Sequence, residues 1–372
     1  MREGNGPVIR DACNPLLTIG DVRPHSDDYE VIGVFNPGVT VKDGKVLLLL
    51  RVAERMRDRG DNILRVPRFS AARGCVETLE FDRSDPDCDF LDCRVVKRRN
   101  GEKYLTSMSY FLPATSEDGT HFTIDYDRMI LPSNMYEAYG IEDARIVRIG
   151  QRYYINYSAA SDKGIVTSLI STEDFRRYRS EGNILPPDNK DVALLPERIG
   201  AYYYCMHRPS TSEYGRPEIW CAKSRDLCCW GGHEWVMGTR PGKWDSVRVG
   251  SSSVPMRTPY GWLMLYHGAN ERNEYCLGAV LLDADNPARV IARTDEPLLR
   301  PEAPYEKNGF FSDVVFACGC VEYPDRLDVY YGAADQCVCR ASLSKAHVFG
   351  ALGLSVPVGG QSYAVQKPVR TV

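Results

Sequence analysis

Short runs typical of β-strands recur along the chain at a nearly constant interval. Each run begins near a turn residue and continues with a stretch rich in Tyr, Val, Ile and Leu. Six copies are visible, at residues 43–50, 101–110, 150–157, 200–207, 260–267 and 325–332. Their spacing of about 50 to 65 residues suits one four-stranded propeller blade with its loops. The pattern predicts an all-β fold, arranged as a β-propeller of five or six blades.

Long stretches with the 3.6-residue period of a helix are scarce. We predict a short, extended N-terminal arm at residues 1–30 and a single propeller domain at residues 31–372. The innermost strands of a propeller line a central channel, so the ends of separate runs converge on one axial pocket. Six dispersed polar residues are therefore expected to meet there: Arg51, Asp143, Arg208, His233, His267 and Asp335.

Composition and charge narrow the function classes. The 372 residues are 43% hydrophobic and 26% charged, as in an ordinary globular protein. A formal net charge of -4 argues against binding to nucleic acid or to an anionic membrane. No apolar segment approaches the roughly 20 residues of a membrane helix, and the N-terminus has no hydrophobic signal core. We expect a soluble, cytoplasmic protein.

The thirteen cysteines favour free, buried thiols, because the chain is long and shows no secretion signal. Two pairs, Cys318/Cys320 and Cys337/Cys339, invite a metal interpretation. A single intervening residue puts both sulfurs on one face of a strand, whereas zinc knuckles place a two-to-four-residue turn between ligands. We assign these pairs to core packing and predict no metal.

Glu142, Asp143 and Arg145 stand together just before the apolar run 146–149. A carboxyl group crowded by another carboxyl tends to keep its proton, while a nearby guanidinium has the opposite effect. The three residues could therefore tune one acid for proton transfer. The alternative is a solvated turn with a surface ion pair.

Ten ordered motifs between about residues 35 and 344 resemble glycoside hydrolase family 130. They are FNPG at 35–38, LLRV at 49–52, GIEDAR at 140–145, DVALLPE at 191–197, MHRP at 206–209, WGGH at 230–233, GWLMLYHG at 261–268, LGAVLLD at 277–283, RPEAPYE at 300–306 and YYGAAD at 330–335. The resemblance implies a five-bladed β-propeller and so favours five blades over six. It also implies an enzyme for β-mannosides. Most members are phosphorylases that convert a terminal β-mannosyl unit and inorganic phosphate into α-mannose 1-phosphate with inversion, and a smaller set are hydrolases.

Asp143 falls at the family's general acid, which the resemblance implies delivers its proton to the glycosidic oxygen through the mannose 3-hydroxyl. The family often has Pro where this chain has Ala144, and we expect that change to affect loop stiffness rather than chemistry. An inverting hydrolase needs a second carboxylate as base, whereas a phosphorylase needs cations to hold an anionic nucleophile.

Lys163, Arg208 and His233 align with the phosphate site that the resemblance implies, and Tyr305 is a further candidate that could reach phosphate through its hydroxyl. Arg208 suits the role best, because a guanidinium offers a planar fork to phosphate oxygens. The alternative for Arg208 is an ion pair with Glu197 or Glu218.

Candidates for binding the sugar are the polar residues near the ends of the runs: Asn36, Arg51, Glu142, Arg145, Tyr266, His267, Asp313 and Asp335. For His267, a hydrogen-bonded core histidine is an equally good interpretation. Loops 55–68, 82–99 and 210–216 are expected to build the acceptor subsite.

We favour a β-1,2-oligomannan substrate, because the Cys- and Arg-rich composition resembles family members of unicellular eukaryotes that handle β-1,2-mannan. Alternatives are a β-1,4-mannoside phosphorylase, a GDP-mannose-dependent mannosyltransferase, a β-mannosidase and a non-catalytic sugar-binding propeller. Expected partners are a β-manno-oligosaccharide and phosphate or mannose 1-phosphate, with no further cofactor. A homo-oligomer is left open.

Overall fold

The computed structural model describes residues 7–210 and 214–354. The first half of the chain contains strands β1 (Val8–Arg10), β2 (Tyr29–Lys42), β3 (Lys45–Met56), β4 (Ile63–Ser70), β5 (Cys75–Asp82), β6 (Cys88–Asp89), β7 (Val95–Arg98), β8 (Lys103–Leu105), β9 (Met108–Ser116), β10 (Thr123–Ile124), β11 (Gly140–Ile149), β12 (Arg152–Ser161), β13 (Gly164–Thr172) and β14 (Arg179–Leu185). The second half contains β15 (Asn189–Leu194), β16 (Tyr203–Pro209), β17 (Ile219–Ser224), β18 (Trp230–Met237), β19 (Arg248–Ser251), β20 (Met256–Thr258), β21 (Gly261–Ala269), β22 (Tyr275–Leu282), β23 (Val290–Arg293), β24 (Val315–Glu322), β25 (Arg326–Ala333) and β26 (Cys337–Ser344).

Helices are few and short. There are two α-helices, α1 (Pro304–Lys307) and α2 (Lys345–Ala351), and three 3-10 turns at Ile19–Asp21, Tyr126–Arg128 and Met135–Glu137, counted over the described residues. None of these helices is long and apolar enough to cross a membrane. The all-β prediction is confirmed.

The strands form antiparallel units that follow the chain. Strands β15 to β18 make one sheet, β19 to β23 make a second, and β24 to β26 make a third, to which β1 is added next to β26. An eight-stranded sheet consists of β2, β3, β9 and β10 followed by β11 to β14. Its two halves are joined by one parallel contact, between Gly140 of β11 and Ser109 of β9. Apart from the small sheets β4–β5 and β6–β8, the strands of the described residues therefore form five units that follow one another along the chain.

The six sequence repeats correspond to these five units. Five repeats fall in or directly before the second long strand of a unit, namely β3, β12, β16, β21 and β25. The copy at 101–110 covers β8 and the start of β9, and β9 pairs with β3 in the first unit. It is not a separate unit, because an insertion at residues 57–107 places another glycine turn before the third strand of that unit.

The first strand of four units carries a β-bulge at a similar position. The bulges lie between Phe35 and Gly38 in β2, between Glu142 and Arg145 in β11, between Lys190 and Ala193 in β15, and between Ala317 and Gly319 in β24. In the first three, Asn36, Asp143 and Asp191 have positive φ angles of 45°, 55° and 55°. A bulge redirects a side chain that a regular strand would leave in its alternating position.

These first strands approach one another closely. A Cβ atom on Gly38 would lie 2.8 Å from the carbonyl oxygen of Ala144, and one on Gly319 would lie 2.9 Å from the Cβ of Val39. Glycine is required at both positions because a side chain would overlap the neighbouring strand. Bulged residues from different units are thereby brought to one place.

The N-terminal segment is partly integrated into the last sheet. Strand β1 pairs with β26 from Val8↔Leu343 to Arg10↔Ala341, and Leu17 and Val22 are buried in the core. Residues 1–6 lie outside the described part. The boundary at residue 30 stays a prediction.

All thirteen cysteines are free. Six are buried, as expected: Cys205, Cys221, Cys276, Cys318, Cys337 and Cys339. The prediction of buried thiols is wrong for five that are exposed: Cys13, Cys75, Cys93, Cys228 and Cys229. These five lie outside the long core strands or, like Cys75, at the start of a small peripheral sheet, where solvent is close.

Candidate active site

Asp143 lies at the centre of a polar cluster contributed by β2, β3 and β11. Arg51 donates a hydrogen bond from Nη1 to Oδ1 of Asp143 at 2.9 Å, and Asn36 donates to the same oxygen at 3.0 Å. Arg51 also donates to Glu142 at 2.8 Å and to the hydroxyl of Ser109 at 3.1 Å. The Asp143 side chain keeps 14% of its surface exposed, so a ligand can reach it.

The charges around Asp143 favour its ionised form. Burial raises the pKa of this carboxyl group, but the charges of Arg51 and Arg145 and the hydrogen bond from Asn36 outweigh burial and bring the pKa below its ordinary value. Of the two opposing effects expected from sequence, that of the guanidinium groups outweighs crowding by Glu142 at Asp143, since Arg51 binds both acids.

Asp335 is the carboxyl group in this cluster whose pKa is raised, so that it holds a proton for part of the time at neutral pH. It follows β25 with a φ of 51°. Burial raises its pKa to about 7, with Arg51 lowering the value and Asp143 and Glu142 raising it. At neutral pH a protonated Asp335 can donate a hydrogen bond as well as accept one.

We expect Asp335→Asn to remove a pH-dependent loss of stability. A carboxyl group whose folded pKa lies near 7, against 3.8 unperturbed, makes unfolding easier as pH rises through that window. Between pH 5.5 and 8, wild type should lose about 1–2 kcal/mol more unfolding free energy than the variant. Urea titrations at both pH values test this, and parallel changes in the two proteins would contradict the assignment.

A second buried cluster surrounds Asp191 in β15. Its carboxylate lies 2.6 Å from Nη1 of Arg208, 3.2 Å from Nη2 of Arg145 and 3.4 Å from Nε2 of His267. Burial raises the pKa of Asp191, but Arg208, His267 and Arg145 hold it well below the ordinary value. Arg145 also donates to the carbonyl oxygen of Asp143 at 3.0 Å. Asp191 thus connects the Asp143 strand to Arg208.

The alternative partners considered for Arg208 are wrong. Glu218 accepts hydrogen bonds from Trp235 and Thr239 instead, and the ion-pair partner of Arg208 is Asp191. Asp191 was missed as a site residue because only the register of β15 and β16 brings it near Arg208.

Two further cations lie near Arg208 and were not predicted. Lys190 is directly opposite Arg208 in the β15–β16 pair, and cross-strand partners share a face of the sheet. No acidic group pairs with Lys190 in residues 7–210 or 214–354. Arg248 of β19 donates to the hydroxyl of Tyr275 at 2.8 Å. The charges of Arg208, Arg248 and Asp191 all act on Tyr275, which places these groups in one region.

His233 and Lys163 are not brought to this face. His233 contacts Nε2 of His207 at 3.0 Å, and His207 points to the other side of β16 because it immediately precedes Arg208. Lys163 is 51% exposed in the turn between β12 and β13 and pairs with its neighbour Asp162 at 3.1 Å. Two of the predicted phosphate ligands therefore do not lie on the face of Arg208.

The two tyrosines chosen from sequence differ in their surroundings. Tyr266 has no exposed surface, and its hydroxyl is occupied by Asp245 and Arg293, so it cannot contact a sugar. Tyr305 lies in the short helix α1 and accepts a hydrogen bond from Asn14 of the N-terminal segment at 3.3 Å. The prediction for Tyr266 is corrected, because strand position alone does not show which face a side chain takes, and the phosphate role of Tyr305 stays a prediction.

His267 and Arg145 are buried beneath the site rather than lining it. His267 has no exposed surface and contacts Ser252 through Nδ1 at 3.2 Å, which supports the interpretation as a hydrogen-bonded core histidine. Arg145 is 1% exposed. Neither can touch a sugar in this arrangement, and both position Asp191 and Arg208.

Asp313 and Asp335 lie in two segments that are joined by a backbone hydrogen bond. Val314 accepts a hydrogen bond from the amide of Ala334 at 3.0 Å, and Asp313 has a φ of 60°. The segment before β24 therefore runs beside the end of β25.

A family model for glycoside hydrolase family 130, described as β-1,4-mannooligosaccharide phosphorylase, matches residues 102–352. The chain belongs to this family. A β-1,2-mannobiose phosphorylase of Listeria innocua is 47% identical over 88% of this chain and 93% of its own length. A 1,2-β-oligomannan phosphorylase of a Thermoanaerobacter species is 38% identical over 65% of this chain and 79% of its own length.

Solved structures of family 130 agree with the fold. The Listeria innocua enzyme in complex with β-1,2-mannobiose has a TM-score of 0.89 and 44% identity, covering 93% of this chain and 99% of that one. These relatives are bacterial, so the composition that suggested unicellular eukaryotes does not separate this chain from bacterial members of the family.

Proposed function

We propose that this protein is an inverting phosphorylase of β-1,2-linked mannosides that releases α-mannose 1-phosphate. The observation that carries the proposal is the separation of charges in the site. Asp143 lies in an acid-rich group with Glu142 and Asp335, while Lys190 and Arg208 share the face of a neighbouring sheet. Such an arrangement provides an acid for the leaving oxygen and cations for phosphate.

The proposed reaction breaks the bond between the anomeric carbon and the glycosidic oxygen and forms a bond from that carbon to a phosphate oxygen. Asp143 supplies the proton to the leaving oxygen by way of the mannose 3-hydroxyl. Because Asp143 is ionised in the free protein, it must take up a proton when substrates bind. A bound phosphate anion nearby favours this uptake by raising the pKa of the carboxyl group.

The carboxylates near the cations are poor candidates for a hydrolytic base. Asp191 is 3% exposed and its charge is neutralised by Arg208 and Arg145. A base must accept a proton from water, and the low pKa of Asp191 opposes this. This supports phosphate rather than water as the nucleophile.

The β-1,2 linkage is supported by relatives. The Listeria innocua protein named as a β-1,2-mannobiose phosphorylase is 47% identical, whereas a Ruminococcus albus β-1,4-mannooligosaccharide phosphorylase is 32% identical over 61% of this chain.

A five-bladed propeller is the arrangement we infer for the five strand units. Three observations support it: the first strands of the units approach each other through glycines, four of them share a bulge, and β1 completes the last unit with β26. When an N-terminal strand pairs with the last blade, strand hydrogen bonds hold the two ends of the ring together. We also infer that the described residues from 31 to 354 form one catalytic domain, and the rest of the predicted range 31–372 lies outside the described part.

The two lysines allow a matched test of the phosphate site. Lys190→Ala is expected to raise the KM for phosphate about tenfold, since one charge-assisted contact is lost. Lys163→Ala should change it less than about twofold, because that side chain is exposed and paired with Asp162. Initial rates at varied phosphate measure both. A larger effect from Lys163 would restore the assignment made from sequence.

The linkage is tested by supplying phosphate with β-1,2-mannobiose or β-1,4-mannobiose and measuring mannose 1-phosphate. We expect kcat/KM for the β-1,2 disaccharide to be at least about tenfold higher. A preference for the β-1,4 disaccharide would overturn the linkage. Mannose 1-phosphate from neither disaccharide, with mannosyl transfer from GDP-mannose instead, would overturn the phosphorylase proposal.

A further inference from the structure

The insertion at residues 57–107 extends over the end of the fold where the candidate site lies. It contains the hairpin β4–β5 and the small sheet β6–β8, which share a core around Val66, Phe81 and Val96. The amide of Phe69 donates to the carbonyl oxygen of Ala138 at 2.9 Å. The insertion is thus attached to the segment that precedes Gly140 and Asp143 in β11.

Arg94 is a residue of this insertion whose charge reaches the site. Its guanidinium lies over the ring of Phe311, 4.8 Å from the centroid, and its charge acts on Asp335. Nε and Nη2 of Arg94 form a bidentate pair with Asp92, both at 2.8 Å. Nη1 has no hydrogen-bond partner among the described residues. The side chain is 47% exposed, so Nη1 is available to a ligand.

Backbone hydrogen bonds connect both Arg94 and Phe311 to segments that carry site residues. Thr106 binds the carbonyl oxygens of Arg94 and Cys93, three residues before the Ser109 that accepts a hydrogen bond from Arg51. The amide of Phe311 donates to the carbonyl oxygen of Ala334, directly before Asp335. Gly309 permits this approach, since a Cβ there would lie 2.6 Å from Ala334. Arg94 is therefore fixed relative to Asp143 and Asp335.

The inverting reaction bears on whether phosphate or the leaving sugar binds near Nη1 of Arg94. The nucleophile and the leaving group lie on opposite faces of the anomeric carbon. Lys190 and Arg208, the proposed phosphate ligands, are in the third unit of the chain. Arg94 and Phe311 lie on the side of Asp335, where the insertion meets the segment before β24. If phosphate binds at Lys190 and Arg208, inversion requires the leaving sugar on the other face of the mannosyl ring, and Arg94 is a free donor outside the third unit that can meet it.

We propose that Arg94 is a contact residue for the leaving-group sugar, donating from Nη1 to a sugar hydroxyl while Phe311 and Asp92 hold the guanidinium plane. This inference rests on the proposed phosphorylase function. Arg94 then determines how tightly the acceptor sugar binds in the reverse reaction, which joins mannose 1-phosphate to mannose.

The test uses the reverse reaction, in which the two sugars are varied independently. Arg94→Ala should raise the KM for mannose as acceptor about tenfold and leave the KM for mannose 1-phosphate within about twofold of wild type. Arg94→Lys should fall between the two proteins, because it keeps the charge but loses the planar contact with Phe311. Arg99→Ala is the matched control: this arginine of the same insertion is 76% exposed and pairs with Asp87, so both constants should stay unchanged.

Phe311→Leu separates positioning from direct contact. It should raise the acceptor KM in the same direction, and the double variant with Arg94→Ala should be no worse than Arg94→Ala alone. Thermal melting verifies folding, since the loss of an exposed ion pair should shift Tm by less than about 2 °C.

Each outcome is decisive. An unchanged acceptor KM in Arg94→Ala, or an equal rise for mannose 1-phosphate, overturns the assignment of Arg94 while leaving the phosphorylase proposal intact. Failure of the wild-type protein to form any disaccharide from mannose 1-phosphate and mannose overturns both.

Discussion

Asp143→Asn is expected to lower kcat for phosphorolysis of β-1,2-mannobiose by about 10³-fold, within the range of 10² to 10⁴ typical of general acids. The amide cannot deliver a proton to the leaving oxygen, yet it has nearly the same shape as the carboxyl group. Arg51 keeps its bonds to Glu142 and Ser109, so folding should be preserved. Stopped assays of mannose 1-phosphate, with melting curves for both proteins, measure the effect.

Leaving-group dependence separates the loss of an acid from a general disturbance of the site. A β-mannoside with a dinitrophenyl leaving group needs no proton, so Asp143→Asn should lose much less activity with it than with mannobiose. Glu142→Gln serves as the neighbouring control, because it removes a carboxylate bound to the same Arg51 but leaves Asp143 in place. Equal losses on the two substrates would contradict the acid role.

Arg208→Ala should raise the KM for phosphate by about 100-fold and that for mannobiose by less than about threefold. The guanidinium is the cation closest to Asp191, at 2.6 Å, and it lies on the same face as Lys190. Removal eliminates a planar donor that a lysine cannot fully replace, so Arg208→Lys should recover only part of the affinity.

Because Arg208 also neutralises Asp191, its removal leaves a buried carboxylate with fewer partners. Arg208→Ala/Asp191→Asn restores the charge balance and is the necessary companion variant. If the phosphate KM returns to the wild-type value in the double variant, Arg208 acts through the position of Asp191 and does not bind phosphate.

Local pattern was sufficient to predict the strands and the acid-rich part of the site. The turn-plus-strand repeat marks the second strand of each unit, which is buried along most of its length. Asn36, Arg51, Glu142 and Asp143 come together in the structure, on strands β2, β3 and β11 of two adjoining units. Their roles in catalysis and binding stay predictions.

The local sequence pattern could not predict which cations of the site lie together. Lys190 and Arg208 are joined by strand register, and Asp191 is redirected by a bulge with a φ of 55°. Neither register nor a bulge has a sequence signal as clear as a glycine turn. The sequence also does not show which face of a strand a given side chain takes, since adjacent strand residues point in opposite directions. Tyr266 is fully buried, and His233 lies on the side of His207 rather than on that of Arg208.

The most direct test of the account is the dependence of product on phosphate. Purified protein is incubated with β-1,2-mannobiose with and without inorganic phosphate, and the products are followed by ³¹P and ¹H NMR. We expect equal amounts of mannose and α-mannose 1-phosphate in the presence of phosphate, and no cleavage in its absence. Release of two mannoses without phosphate, or formation of the β-anomer of the sugar phosphate, would contradict it.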